Sequence, residues 1–292
     1  MSRDDLKSGN VARGDSLTLA ASFAGVASLG PITAFTPIDP LFDFQWHLLN
    51  TGVSGGTPGI DINVTDVWND YTGTGVIIGI IDEGVQHSHP DLSANYDTTL
   101  DHDARDGDDD AAPGTSDNHG TAVAGVIAGV EGNGIGGTGV AFDATIAGFR
   151  MGFDSSTADD TELLALQANV DISNNSWGYQ GWNTWFLDDF STPAYWPVSD
   201  AILNAVTEGR DGLGTVVVFA AGNDRQNGQD TNYHNFQNSP HTIAVAALDH
   251  NGQVAYFSTP GAPILVSAPG VNITTTDRTD YYGYTFDDYV SI

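Results

Sequence analysis

Short apolar runs recur along the chain from residue 76 onwards and alternate with segments of helical pattern. Each run is seven to nine residues long and contains many β-branched or small residues, which is typical of a strand buried on both faces. The predicted strands are residues 76–82, 144–151, 171–178, 215–223 and 241–248. The predicted helices are residues 119–130, 161–170 and 199–209, the last beginning at a Ser199/Asp200 cap and ending at Gly209. This alternation predicts an α/β fold: a doubly wound, mostly parallel sheet with helices on both faces.

Three polar residues occur where a predicted strand ends or a predicted helix begins. Asp82 ends the run VIIGIID, His119 opens a helix of unusually small residues, and Asn223 follows the run VVVFAAG. Taken singly, each has an ordinary structural interpretation, because aspartate and asparagine are common in turns and histidine can cap a helix. In a doubly wound sheet, however, the carboxyl ends of the strands form the ligand-binding edge. The order Asp, His, Asn at that edge makes the three residues candidates for one site.

The same segments resemble the subtilisin-like serine proteases, or subtilases, and in particular their kexin/furin branch. The resemblance extends from about Asp39 to Ile292 and includes IIDEGVQHSHPDL, DNHGTAVAGVIAG, NNSWG and VVVFAAGN. It implies a serine endopeptidase that works through an acyl-enzyme, in which His119 transfers protons, Asp82 orients and stabilises the imidazole, and Asn223 donates to the oxyanion. It also implies that Ser176, Trp177 and Gly178 form an edge that pairs with extended substrate.

The nucleophilic serine is not evident in the sequence. The resemblance implies that it lies in a Gly-Thr-Ser motif at the start of a second buried helix, whereas Ser291 stands between Val290 and Ile292. The one Gly-Thr-Ser sequence, residues 114–116, precedes His119 in a predicted loop. We therefore expect the nucleophile within about five residues beyond Ile292, and we expect the chain as given to be inactive.

Composition limits the partners of the protein. The 38 acidic residues outnumber the 8 basic ones, for a formal charge of −30, which argues against binding to nucleic acid or to anionic membranes and favours cations. The absence of cysteine excludes disulfides and thiolate metal sites. No apolar run is long enough to span a membrane as a helix, so we expect no membrane span.

The resemblance also implies two calcium sites, which suit the many oxygen ligands of this sequence. The first would comprise the carboxylates of Asp39 and Asp91, the side chain of Asn133, and the carbonyl groups of Val130, Ile135 and Gly137. The second would comprise Asp103, Asp108 and Asp110. Two alternatives remain: His87, His89 and Asp91 have the spacing of zinc ligands, and the acidic run at residues 101–110 is also typical of a solvated surface.

Specificity is where the sequence departs from the kexin/furin branch. Those relatives select basic residues with carboxylates near the primary pocket, whereas Gly181 and His234 stand at the matching places here. We therefore do not expect cleavage at paired basic residues.

The organisation predicted from the sequence is a leader or linker at residues 1–38, which we expect to be poorly ordered, followed by a catalytic domain at residues 39–292 that is incomplete at its C-terminus. We expect further C-terminal domains, extended polypeptide substrates, and secretion of the bacterial type. The alternatives are a subtilase-like module that binds peptide without cutting it and a calcium-dependent structural domain of a larger secreted protein.

Overall fold

A seven-stranded parallel sheet forms the centre of the structure, a computed structural model that describes residues 35–52, 55–152, 156–179 and 185–292. Its strands are β1 (Ile77–Asp82), β2 (His102–Asp103), β3 (Thr145–Arg150), β4 (Ile172–Asn175), β5 (Val216–Ala220), β6 (Ile243–Leu248) and β7 (Ile264–Pro269). They lie side by side in the order β2-β3-β1-β4-β5-β6-β7. The chain runs from β1 to β3 on one side and crosses to β4 on the other, so β1 lies at the switch point where α/β sheets bind ligands.

Helices cover both faces of the sheet. The α-helices are α1 (His119–Ala128), α2 (Thr157–Leu166), α3 (Trp196–Gly212) and α4 (Asn235–Asn238). Ile81 of β1 packs into the core cluster that contains residues of α2 and α3, whereas its neighbour Ile80 packs into the cluster that contains Ala124 of α1. Successive residues of a strand point to opposite faces, so the continuous apolar run of β1 is explained by burial on both sides. The predicted fold class is confirmed.

A two-stranded antiparallel hairpin lies outside the main sheet. Its strands are β8 (Thr274–Thr276) and β9 (Tyr289–Ser291), with Thr274 opposite Ser291 and Thr276 opposite Tyr289. The hydroxyl groups of Thr275 and Thr276 donate to the backbone carbonyls of Ala122 and Thr121 at 2.7 and 2.6 Å. The hairpin is thereby fixed across helix α1.

The boundaries of all three predicted helices differ from the predictions, and helix α1 ends at Ala128 rather than at residue 130. Helix α2 begins at Thr157, where Ser156 and Asp159 form a reciprocal capping box, rather than at residue 161. Helix α3 begins at Trp196 with a proline in its first turn, so the predicted Ser199/Asp200 cap is wrong: both residues lie inside the helix. Its predicted end is correct, because the backbone at Gly209 is no longer helical.

Residues before Asp39, the predicted start of the catalytic domain, also pack against the core. The ring of Phe35 lies 5.7 Å from that of Phe142 and 6.2 Å from that of Trp68, within a core cluster on one flank of the unit Ala34–Ile292. Residues 1–34 of the predicted leader, like Gly181, lie outside the described residues. In the described part of the chain, no helix combines the length and the apolar character that crossing a membrane would require.

Candidate active site

Asp82 and His119 meet at the carboxyl end of the central strand. Asp82 is the last residue of β1 and is buried, and its two carboxylate oxygens lie 2.9 and 3.0 Å from Nδ1 of His119. The first of these oxygens also accepts the backbone N–H of Glu83 at 2.9 Å, which fixes the carboxylate plane. Because Asp82 occupies Nδ1, the ring presents Nε2 for proton transfer, and the His119 side chain is 39% exposed.

Small residues and one carboxylate hold His119 in this position. The Glu83 carboxylate accepts the backbone N–H of His119 at 2.5 Å, which satisfies a free donor at the start of α1. A Cβ atom on Gly120 would overlap the carbonyl oxygen of Gly84, so only glycine lets the helix approach the end of β1 this closely. The small-residue sequence of the helix is therefore what brings the imidazole to Asp82.

The electrostatics of the pair favour a charged imidazole. Burial opposes protonation of His119, but the charge and hydrogen bond of Asp82 outweigh it, so the pKa of His119 lies above its ordinary value. Burial raises the pKa of Glu83. The hydrogen bond from the N–H of His119 opposes this increase, and the charge of the nearby Asp82 adds to it. An aspartate that orients a histidine and stabilises its cation is the arrangement that a general base requires.

Ser291 lies at the end of the hairpin that is farther from His119. Thr276 of β8 contacts the carbonyl of Thr121, two residues after His119, whereas Ser291 is paired with Thr274, two residues further along the strand. Its hydroxyl forms a hydrogen bond of 2.9 Å with that of Thr274. Two strand residues span roughly 6–7 Å, so Ser291 lies beside Thr274 and away from the contact between Thr276 and Thr121.

Four of the predicted substrate-contacting residues line one pocket. Ser176, Trp177 and Gly178 follow β4, Asn223 follows the neighbouring strand β5, and all of them border the same cavity of about 40 Å³. The Trp177 ring packs edge-on against Phe219 and Phe236, and its indole N–H donates to the Asn175 side chain at 3.2 Å. Asn223 is exposed, so its amide is free to turn towards a bound group.

His234, which lines the pocket, is paired with a buried aspartate, and sequence reasoning identified only the histidine. Nδ1 of His234 lies 3.2 Å from the Asp188 carboxylate, and its Nε2 lies 3.1 Å from Oε1 of Gln229. Asp188 is fully buried and also accepts the backbone N–H of Phe236 at 3.0 Å. The contact joins residues 46 positions apart, and no local pattern in WFLDDFS distinguishes buried Asp188 from the adjacent, half-buried Asp189.

The structure brings together the predicted ligands of the first calcium site. Both carboxylates are buried: that of Asp39 accepts the N–H groups of Gly132 and Gly134 at 2.8 and 3.2 Å, and that of Asp91 accepts the Asn133 amide at 2.6 Å. The loop that supplies Val130, Ile135 and Gly137 therefore wraps both carboxylates, and Gly137 N–H donates to Asp91 at 3.3 Å.

The first site fits a cation in its packing and charge. A Cβ on Gly136, where φ is +56°, would overlap the Asp91 carboxylate. Burial, reinforced by the nearby charge of Asp39, raises the pKa of Asp91 to about 7, as expected for a buried carboxylate that lacks a compensating positive charge.

The predicted second calcium site has a different arrangement. Asp103 is buried, but its carboxylate forms an ion pair of 2.6 Å with Arg150, whereas Asp108 and Asp110 are exposed. Arg150 also binds Asp106 and Asp117 at 2.7 and 2.8 Å, so a side chain already compensates part of the acidic run. Because Arg150 already compensates the charge of Asp103, this arrangement has less need of a cation than the first site, and calcium there stays a prediction.

The zinc alternative has no geometric support. Nδ1 of His89 accepts the N–H of Asp91 and its Nε2 faces the carbonyl of Asp288, whereas His87 faces Asp110. Among the described residues, no three His, Cys, Asp or Glu side chains are grouped as ligands of one ion.

An aspartate at the end of the central strand of a parallel sheet, in contact with a histidine at the start of the next helix, has the Asp–His geometry of serine hydrolases. The family model described as the subtilase family matches residues 73–290, and the chain belongs to that family. It is 39% identical over 233 residues to the PC3-like endoprotease variant B of Hydra vulgaris, an alignment that covers 76% of this chain and 31% of that protein. It is 38% identical over 218 residues to kexin of Saccharomyces cerevisiae, covering 73% of this chain and 25% of kexin.

Solved structures agree on the fold. The serine protease of Aeromonas sobria, in complex with its chaperone, superposes with a TM-score of 0.75 at 24% identity, covering 88% of this chain and 48% of that one. The chain spans between 25% and 39% of the length of the curated relatives that it matches. The relatives share the family of this domain, and their full lengths include regions with no counterpart in these 292 residues.

Proposed function

We propose that this chain carries the Asp–His part of a serine endopeptidase centre that hydrolyses extended polypeptides through an acyl-enzyme. The observation that carries the proposal is the contact of 2.9 Å between buried Asp82 and Nδ1 of His119. In this scheme His119 accepts the proton of a serine hydroxyl through Nε2 and returns it to the leaving amine, while Asp82 stabilises the imidazolium. Asn223 donates to the oxyanion, and the segment Ser176–Gly178 pairs with the substrate backbone.

The nucleophile in this proposal is a serine other than Ser291. The hydrogen bond of Ser291 to Thr274 supports this, and the Gly-Thr-Ser motif beyond Ile292 remains a prediction. Fluorophosphonate labelling tests it on the 292-residue chain and on a chain extended through the predicted motif. We expect label only on the extended chain, and loss of that label in His119→Ala. Label on the short chain that disappears in Ser291→Ala would refute the assignment.

We propose that the primary pocket does not select basic side chains. The carboxylates near it are already engaged, Asp188 by His234 and Phe236, and Asp224 by the side chain of Asn227 at 2.7 Å. The cavity of about 40 Å³ has room for only about three water molecules, at roughly 10–15 Å³ each. A peptide-library profile of the extended protein should therefore be dominated by short or uncharged side chains before the cleaved bond. A profile dominated by paired Arg or Lys would contradict this.

We further propose that Ca²⁺ binds the first site and stabilises the fold. Asp39, Asp91 and Asn133 would hold the ion through side-chain oxygens, and Val130, Ile135 and Gly137 through carbonyl oxygens. The ion would supply the positive charge that these buried carboxylates lack. Secretion agrees with this need, because calcium is more abundant outside cells than inside them.

A further inference from the structure

The loop between β8 and β9 exposes four aromatic side chains. This aromatic loop, residues 277–288, carries Tyr281, Tyr282, Tyr284 and Phe286, which are 77%, 44%, 42% and 85% exposed. The Tyr281 ring lies 5.8 Å from that of Tyr282 and 5.7 Å from that of Phe286, so three of the rings form a continuous surface. A contiguous group of exposed apolar side chains is a mark of interaction sites, whereas singly scattered ones need no explanation.

A buried aspartate gives the aromatic loop a defined shape. Asp277 is fully buried, and its carboxylate accepts the backbone N–H groups of Arg278, Tyr284 and Thr285 at 2.8, 2.9 and 2.7 Å. The Arg278 guanidinium lies over the Tyr282 ring, 5.5 Å from its centroid. The rings are therefore presented on a loop that is ordered before binding, which reduces the entropy lost on contact.

The aromatic loop is attached to both segments that carry the Asp82–His119 pair. Thr279 exchanges two hydrogen bonds of 2.9 Å with the side chain of Gln86, four residues after Asp82. Arg278 donates to the carbonyl of Asp117 at 3.0 Å, two residues before His119. The pKa of Tyr284 is raised to about 12 by burial, with further contributions from the charges of Glu83 and Asp82, which is consistent with a position beside the pair.

Charge identifies the occupant of this surface. Asp287 and Asp288 follow the rings and are exposed, whereas Asp280 is paired with Arg278, so the surface combines apolar area with a net negative charge. A second copy of this chain would bring the same carboxylates and a formal charge of −30 to the contact, which repulsion disfavours. An apolar side chain flanked by basic ones has both complementary features, because it covers the rings and pairs with the carboxylates.

We propose that the aromatic loop is a substrate-contacting surface that holds an apolar side chain, flanked by Lys or Arg, of the polypeptide that passes the Asp82–His119 pair. This inference rests on the proposed endopeptidase function and adds a second determinant of specificity. This second determinant acts on substrate residues other than the one that precedes the cleaved bond, and it is separate from the pocket of His234. The loop thereby selects basic, apolar segments although the pocket does not select a basic residue.

Binding can be measured without cleavage. Fluorescence anisotropy of the 292-residue protein would be followed with a labelled extended peptide that carries Phe between two Lys residues, and with peptides in which Ser replaces Phe or Glu replaces Lys. The test variant is Tyr281→Ser with Phe286→Ser. The matched control is Tyr71→Ser with Tyr256→Ser, which removes two tyrosines that are 75% and 72% exposed elsewhere. We expect the test variant to weaken binding of the Phe/Lys peptide about tenfold, and the control to leave it unchanged.

The outcomes separate the loop from the proposed reaction. Equal affinity in the test and control variants overturns the inference, even if the extended protein cleaves peptides. Self-association of the protein that the test variant abolishes, with peptide affinity unchanged, also overturns it and assigns the surface to a second copy. Loop-dependent binding supports the inference, and if the extended protein cleaves no peptide at all, it is the proposed endopeptidase function that fails.

Discussion

Asp82 controls the protonation of His119 through its charge and its hydrogen bond. If Asp82 is replaced by Asn, burial still lowers the pKa of His119 while the charge of Asp82 is gone and only that of Glu83 remains to oppose it, so the pKa should fall. NMR titration of the His119 ring protons measures this, with the signal assigned by His119→Ala. Asp143→Asn, which removes one exposed carboxylate elsewhere, is the control and should leave the titration unchanged.

The same ion pair links stability to pH. The pKa of His119 is raised in the folded protein, so the pair stabilises the fold below about pH 6.5 and this contribution is lost as the pH rises through the folded pKa. Asp82→Asn should therefore lower the melting temperature more at pH 5.5 than at pH 8.5. An equal loss at both pH values would mean that the carboxylate acts only through packing.

At the scale of elements, helix α1 is packed between the end of β1 and the hairpin. A Cβ on Gly125 would meet the hydroxyl groups of Thr275 and Thr276, so Gly125→Ala should destabilise the protein by about 1–3 kcal/mol although alanine favours helix. Thermal unfolding measures the loss. Combining it with Thr276→Ala removes one of the overlapping atoms, so the double variant should lose less stability than the sum of the single variants. Additive losses would contradict the packing argument.

Long apolar strands and the Asp82 and His119 segments could be predicted because their signals are local. A run such as VIIGIID specifies burial, and the small residues after His119 specify close packing. The hairpin could not be predicted from the sequence, because β8 and β9 have three residues each and pair across a loop closed by Asp277. The start of α3 was missed although Pro197 gave a signal, because proline favours the first turn of a helix. The His234–Asp188 contact joins distant residues and has no local signal.

For the whole molecule, the dominant property is an excess of negative charge. Arg150 compensates three aspartates near the Asp82–His119 pair, but 8 basic residues cannot offset 38 acidic ones. At physiological ionic strength, repulsion between exposed carboxylates more than about 8 Å apart is largely screened. Added salt of any kind should therefore stabilise the fold to some extent. A specific calcium site must therefore be distinguished from general screening.

Calcium at the first site should raise the melting temperature beyond this screening effect. An ion that binds only the folded state adds about 2.7 kcal/mol when its concentration is a hundred times its Kd, so millimolar Ca²⁺ should stabilise and chelation should destabilise. NaCl and MgCl₂ at equal ionic strength are the controls, since Mg²⁺ fits a large, flexible oxygen cage poorly.

Asp91→Asn should remove most of the calcium-specific increment. Asp103→Asn should lower the melting temperature with or without calcium, because it breaks the pair with Arg150, but should leave the increment intact. Equal increments from Ca²⁺ and Mg²⁺, unaffected by Asp91→Asn, would show that the carboxylates of Asp39 and Asp91 are stabilised without a bound ion.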